Sequence, residues 1–217
     1  MRRFSAVAGL LACAWLLGAC GGGGENGGDD NTEALAYMAM SEGKVWLYDV
    51  DLGTVILDGQ VEVVGKDLEY RDGVEAYEVE TRQNMLLIAT RWYEIRPGGM
   101  FLLGELVTEQ TQEVRRTFIE PVEVLRHPLE REDGYLVQSW TSSSAMEEGG
   151  EERHRFDVQG KEPLSVPAGD FECIHLLHTR TDKDSAVHGY DEFFVPQTGF
   201  AAFEYPQDTL WSLRPDS

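Results

Sequence analysis

The sequence predicts an all-β domain: a single antiparallel, strongly curved sheet of about ten strands, forming a half-barrel or barrel. From Val45 onward, short β-branched and aromatic runs are punctuated by turn residues at Asp58-Gly59, Asp72-Gly73, Pro97-Gly98-Gly99, Asp133-Gly134 and Gly149-Gly150. Several runs alternate at period two. Tyr77, Val79 and Thr81 share one face against Glu78, Glu80 and Arg82, and His154, Phe156 and Val158 oppose Arg153, Arg155 and Asp157. Helix has a single candidate beyond the N-terminal segment, Thr32 to Met40 with Asn31 or Thr32 as its cap, and an extended reading fits that stretch equally.

The elements follow in order. Residues 1–19 read as an export signal: Met1, Arg2 and Arg3 are a cationic start, and Phe4 to Leu17 is an almost unbroken apolar run. That run is shorter than the roughly 20 apolar residues a membrane-spanning helix needs. Leu17-Gly18-Ala19-Cys20 resembles the bacterial lipobox, which implies cleavage before Cys20 and lipidation of its thiol. A plain secretory cleavage beside a chance cysteine is the bland alternative. Several acyl chains on one cysteine would make a permanent anchor, since a single chain binds only marginally. Gly21 stands where lipoproteins kept at the inner membrane of enteric bacteria carry Asp, and this resemblance favours the outer membrane.

Residues 20–33 read as a tether. Gly21 to Asn31 offers nothing apolar to bury, and as a coil of about 11 residues it reaches roughly 20 Å. Neither a preceding strand nor a following Gly-Lys-Ser/Thr makes it a phosphate-binding loop. Residues 34–217 then form one domain.

The formal charge of −21 becomes −23 when Arg2 and Arg3 leave with the signal. Such a surface argues against nucleic acid as a partner, because binding needs a basic patch. Membrane contact falls to the anchor. Cys13 is lost with the signal and Cys20 is lipidated, so only Cys173 remains and no internal disulfide can form.

Within the domain, Asp49-Val50-Asp51-Leu52-Gly53 reads as a hairpin turn, for it lacks the further oxygen ligands of a calcium loop. Met85-Leu86-Leu87-Ile88-Ala89 and Met100-Phe101-Leu102-Leu103 are apolar on both faces and read as central strands. Tyr37 to Trp46 is echoed by His127 to Trp140: an apolar lead-in, a polar glycine turn, then a strand bearing tryptophan. Coincidence would produce this, and so would two related β-halves.

Val166-Pro167-Ala168-Gly169-Asp170-Phe171-Glu172-Cys173-Ile174 resembles the V-P-A-G-x-F-x-C strand opening of a family of uncharacterised bacterial exported lipoproteins. Phe193 to Phe200 resembles that family's aromatic, Pro- and Gly-rich corner, and Gly43-Lys44-Val45-Trp46-Leu47-Tyr48 its early G-x-x-W-x-Y strand. The chain departs from the pattern at Ala39, near which a proline is usual, and at Pro196-Gln197-Thr198-Gly199, where P-G-V-G is commoner. The resemblance implies an antiparallel β fold akin to the curved sheets of periplasmic lipoprotein carriers. It implies no activity. Taken by itself, the motif is structural: Gly169 permits a turn, and Phe171 and Cys173 fall on one face as core.

Chemistry is sparse. Cys173 and His175 share a strand face and make the best reactive pair, yet lone buried cysteines usually act as small hydrophobes. His175 and His178 point to opposite faces, and His127, His154 and His188 come singly, so no metal site is read. Ser142-Ser143-Ser144 lacks a nucleophile elbow and reads as a surface loop. No cofactor motif is present and the chain reads as a non-enzyme. The aromatics are more informative. Most belong to the core, but Trp92, Trp140 and Phe194 are candidates to line a concave apolar face. The expectation is a membrane-anchored lipoprotein whose domain binds an apolar or lipid-like ligand. The alternative is an envelope lipoprotein that holds a protein partner through its acidic surface, with a thiol enzyme centred on Cys173 third.

Overall fold

The computed structural model describes residues 31–109, 112–205, 209–215 and 217; the expected signal sequence, Cys20 and the glycine-rich segment to Asp30 lie outside the described residues. A short helix α1 (Thr32–Tyr37) precedes β1 (Val45–Asp51), β2 (Ile56–Asp67), β3 (Ala76–Gln83), β4 (Leu86–Arg96), β5 (Gly99–Glu109) and β6 (Gln112–Arg126). Six more strands follow: β7 (Ser139–Ala145), β8 (Glu151–Val166), β9 (Gly169–Thr181), β10 (Val187–Val195), β11 (Gly199–Tyr205) and β12 (Thr209–Leu213).

All twelve join one antiparallel sheet in the order β6-β5-β4-β3-β2-β1-β12-β11-β10-β9-β8-β7, close to the count expected. Each strand pairs with its neighbours in sequence except across β6 and β7, and β1 pairs with β12. The sheet therefore curls until its two edge strands face each other, forming a barrel that is nearly closed. β6 and β7 meet through side chains more than through a ladder. Ser144 Oγ accepts from Glu120 N and Ser142 Oγ from Glu123 N, both at 2.8 Å. Glu147 N donates to Thr117 O at 3.0 Å just beyond the strand, and Trp140 Nε1 to Glu123 O at 3.3 Å. The serine run read as a surface loop is thus strand β7, and two of its hydroxyls occupy the seam.

Bulges bend the strands to the curvature a barrel requires. Their placement repeats between the two stretches that echo each other in sequence. Trp46 lies opposite Val61 just before the β2 bulge at Val63/Gly65, and Trp140 lies opposite Phe156 just before the β8 bulge at Val158/Gly160. The lead-in of each half packs on a corner of the other: His127 N donates to Gly98 O and Gln197 N to Tyr37 O. The rings of Tyr37 and His127 meet with centroids 4.7 Å apart. β1–β6 and β7–β12 are two similarly built halves.

One end of the barrel is plugged. Asn31 Nδ2 donates to Ile95 O at 2.7 Å, and Tyr37 OH takes the amide of Leu129. Met38, Met40 and Leu129 are buried there. At the β10–β11 corner Gly199 has φ 104°, and a Cβ in its place would stand 2.8 Å from Trp46 Nε1. Glycine is required on both counts. The β1–β2, β3–β4, β7–β8 and β9–β10 turns lie at the opposite end. There the expectation of a central strand from Met85 fails in part: Met85 and Leu86 are 88% and 70% exposed. Asn84 and Met85 both have positive φ and form the apex of the β3–β4 turn, so the apolar run begins outside the sheet's covered zone. Met100, Leu102 and Leu103 are buried as expected.

Candidate functional site

The barrel encloses a cavity of about 230 Å³ lined by residues from every strand except β7. Its character changes along the axis. Toward the plugged end the wall is aromatic and thioether: Met40, Trp46, Met100, Phe194 and Phe200. Toward the hairpin end it carries charge: Arg91, Glu105, His154, His178, Arg180 and Glu192.

Strand periodicity aims these groups inward. On β8, Glu152 and His154 continue the face of Phe156; on β9, His178 and Arg180 continue that of Ile174 and Leu176. Glu78 and Glu80 of β3 and Arg153 and Arg155 of β8 point the other way.

Two buried carboxylates organise the polar end. Glu105, 2% exposed, accepts from Arg91 Nε at 3.0 Å and Arg116 Nη1 at 2.9 Å, with Arg180 Nη2 at 3.5 Å. Burial alone would raise its pKa, but the three guanidinium groups outweigh it and hold the carboxyl at about 2. Glu152, 1% exposed, is in direct contact with Arg180 Nε and lies 4.0 Å from Arg116. Three guanidinium charges therefore face two carboxylates.

A histidine pair continues the network. His154 Nδ1 stands 2.9 Å from His178 Nε2, and His178 Nδ1 is 3.0 Å from Glu192 Oε1. With both imidazoles neutral and Glu192 ionised, the protons run from His154 to His178 to Glu192. His154 Nε2 is then bare, 3.4 Å from Glu152 Oε1, and has no hydrogen-bond partner among the described residues. Burial lowers the pKa of His154.

Some polar groups on the cavity wall are uncommitted. Arg91 engages Glu105 through Nε, and its terminal amino groups make no hydrogen bond among the described residues. The hydroxyls of Tyr93, Tyr190 and Tyr205 likewise have no hydrogen-bond partner there, whereas Tyr48 OH is satisfied by Phe200 O at 2.9 Å. Burial pushes the pKa of Tyr93 up to about 12 and those of Tyr190 and Tyr205 upward, so all three remain O–H donors.

The residues expected at a concave face are placed differently from one another. Phe194 lines the cavity, between the rings of Tyr37 and Phe200. Trp140 lies behind it, stacked on Phe156 at 4.7 Å, and does not reach the space. Trp92 projects from the other face of β4 and stacks on Tyr70 at 4.6 Å. Cys173 is fully buried among Phe193, Ala201 and Ala202, and burial with the charge of Glu162 raises its thiol to about 11. His175 Nε2 is turned to Asp191 Oδ1 at 2.6 Å. Among the described residues no three His, Cys, Asp or Glu side chains are arranged to hold a metal.

Arg91, Glu105, Glu152 and Arg180 were missed at the level of sequence. The signal was their parity: each occupies the same face of its strand as buried apolar residues.

No family model matches the chain, and no curated protein matches it. Among solved structures, a chain from Parabacteroides distasonis assigned as a lipoprotein is similar, with 11% identity and a TM-score of 0.44 over 80% of this chain and 94% of that one. A likeness this slight transfers no function.

Proposed function

We propose that this chain is an exported, lipid-anchored binding module of the bacterial cell envelope whose barrel interior holds an apolar or lipid-like ligand. The carrying observation is the cavity itself: a space inside the barrel walled by aromatic and methionine side chains, stopped at one end and polar at the other. Small-molecule sites have this form, mostly apolar with a few convergent polar groups. Methionine suits a wall that must adapt to its occupant. The anchor is read from the order of charge, apolar run, small residues and Cys20, and the outer membrane from Gly21.

Native mass spectrometry of gently purified protein tests the binding reading. A co-purifying mass released on denaturation is the expected result; a bare chain that also fails to take up added amphiphiles would overturn it.

A second reading has one observation in its favour. Ile56, Met85 and Leu86 are exposed at the tips of adjacent hairpins, and exposed apolar clusters mark interaction surfaces. In that reading the hairpin end docks an envelope protein, and crosslinking in membranes would capture it.

A further inference from the structure

We propose that the ligand is a small monocarboxylate with an apolar body, its carboxylate held by Arg91 with the hydroxyls of Tyr93 and Tyr205. This rests on the reading of the barrel interior as a binding site and narrows it.

Size comes first. An apolar cavity of 150 Å³ takes benzene, so by that scale the space here takes roughly nine non-hydrogen atoms. A diacyl lipid is excluded; a medium-chain fatty acid or a single-ring aryl acid fits. Such a ligand would place its body between Trp46, Phe194 and Phe200, at the apolar end.

The polar end then selects the head group. Arg91 is held by Glu105 through Nε alone, which fixes the guanidinium plane and leaves both terminal amino groups to present a fork. A planar fork matches a carboxylate through two parallel hydrogen bonds, which a hydroxyl or an amine cannot reproduce. Tyr93 and Tyr205, whose hydroxyls have no hydrogen-bond partner among the described residues, lie within electrostatic reach of it as further donors. Glu192, the other carboxylate on the wall, is engaged by His178. An entering carboxylate would take up the two uncommitted amino groups of Arg91, whereas a cation would meet the guanidinium groups of Arg91 and Arg180.

The test uses the full-length chain with octanoate and 1-octanol as probes, binding being followed by the fluorescence of Trp46 and Trp211 and by calorimetry. The expected result is that octanoate binds at least about tenfold more tightly than 1-octanol, as a charge-assisted bidentate contact should provide. Arg91→Gln removes that advantage and leaves 1-octanol binding unchanged; Tyr205→Phe, which keeps the ring, weakens octanoate severalfold. Glu105 retains Arg116 and Arg180 in the Arg91 variant, and a thermal melt checks its fold. If 1-octanol binds as tightly as octanoate, or if both variants bind octanoate like the parent, the carboxylate assignment falls while the binding reading stands. If neither probe binds, the binding reading falls with it.

Discussion

Cys173 and His175 lie on the same face of β9, yet their neighbours separate them chemically. The thiol is packed under Phe193 and two alanines, and the imidazole is bonded to Asp191 and stacked on Phe193 at 4.7 Å. A thiol raised to about 11 and shut from solvent offers almost no thiolate at neutral pH. Iodoacetamide is expected to leave Cys173 unmodified in the folded protein and to label it fully in denaturant, read by intact mass. His154 makes a different prediction. Its folded pKa lies below the ordinary 6.5, so below that pH the unfolded chain binds more protons. This contribution to stability is whole above about pH 6.5 and is lost as pH falls through the window beneath it. The urea midpoint should be lower at pH 5.5 than at pH 7.5, and the difference should shrink in His154→Gln. Most carboxylates titrate below that range, and the His154→Gln comparison separates His154 from the other four histidines.

At the level of strands, the Glu105 network ties β4, β5, β6 and β9 together across the interior. Glu105→Gln keeps the shape but leaves Arg91, Arg116 and Arg180 with one buried carboxylate among them. Uncompensated buried charge costs about 3–5 kcal/mol, which denaturant unfolding would detect. The carboxyl is held at about 2, so its contribution persists above pH 4.5 and disappears as pH falls toward 2. The variant should therefore be flatter than the parent over that acid range. The same strands show how far the sequence could be read. Alternation placed His154, Phe156 and Val158 on one face correctly, and extending it by one step reaches Glu152. Composition argued against that step, because Glu and Arg are rarely buried unless paired, and pairing between distant strands leaves no trace in spacing. The fold class was legible because it depends only on period and punctuation. The cavity's polar end was not, since His154 and His178 meet through the register of β8 against β9. Trp92 and Trp140 lie off the cavity wall, which the sequence could not show for a related reason: it shows that an aromatic packs, not which surface it packs on.

For the whole molecule, the curled sheet leaves one line of weakness. The amides of Glu120 and Glu123 are bonded to serine hydroxyls, which exchange partners more freely than carbonyls locked in a ladder. Hydrogen exchange at those two amides should be faster than at Trp211 or Ser212 in the β1–β12 region, and Ser142→Ala with Ser144→Ala should accelerate it further.

The two halves of the barrel are thus joined twice, and unequally. Along β1 and β12 four residue pairs run in register from Tyr48↔Leu213 to Asp51↔Leu210. Along β6 and β7 the union is largely one of side chains. In mechanical terms the molecule is a clamshell, with its hinge at the regular joint and its latch at the serines. In that latch the barrel has a line along which it would part without breaking a continuous strand ladder.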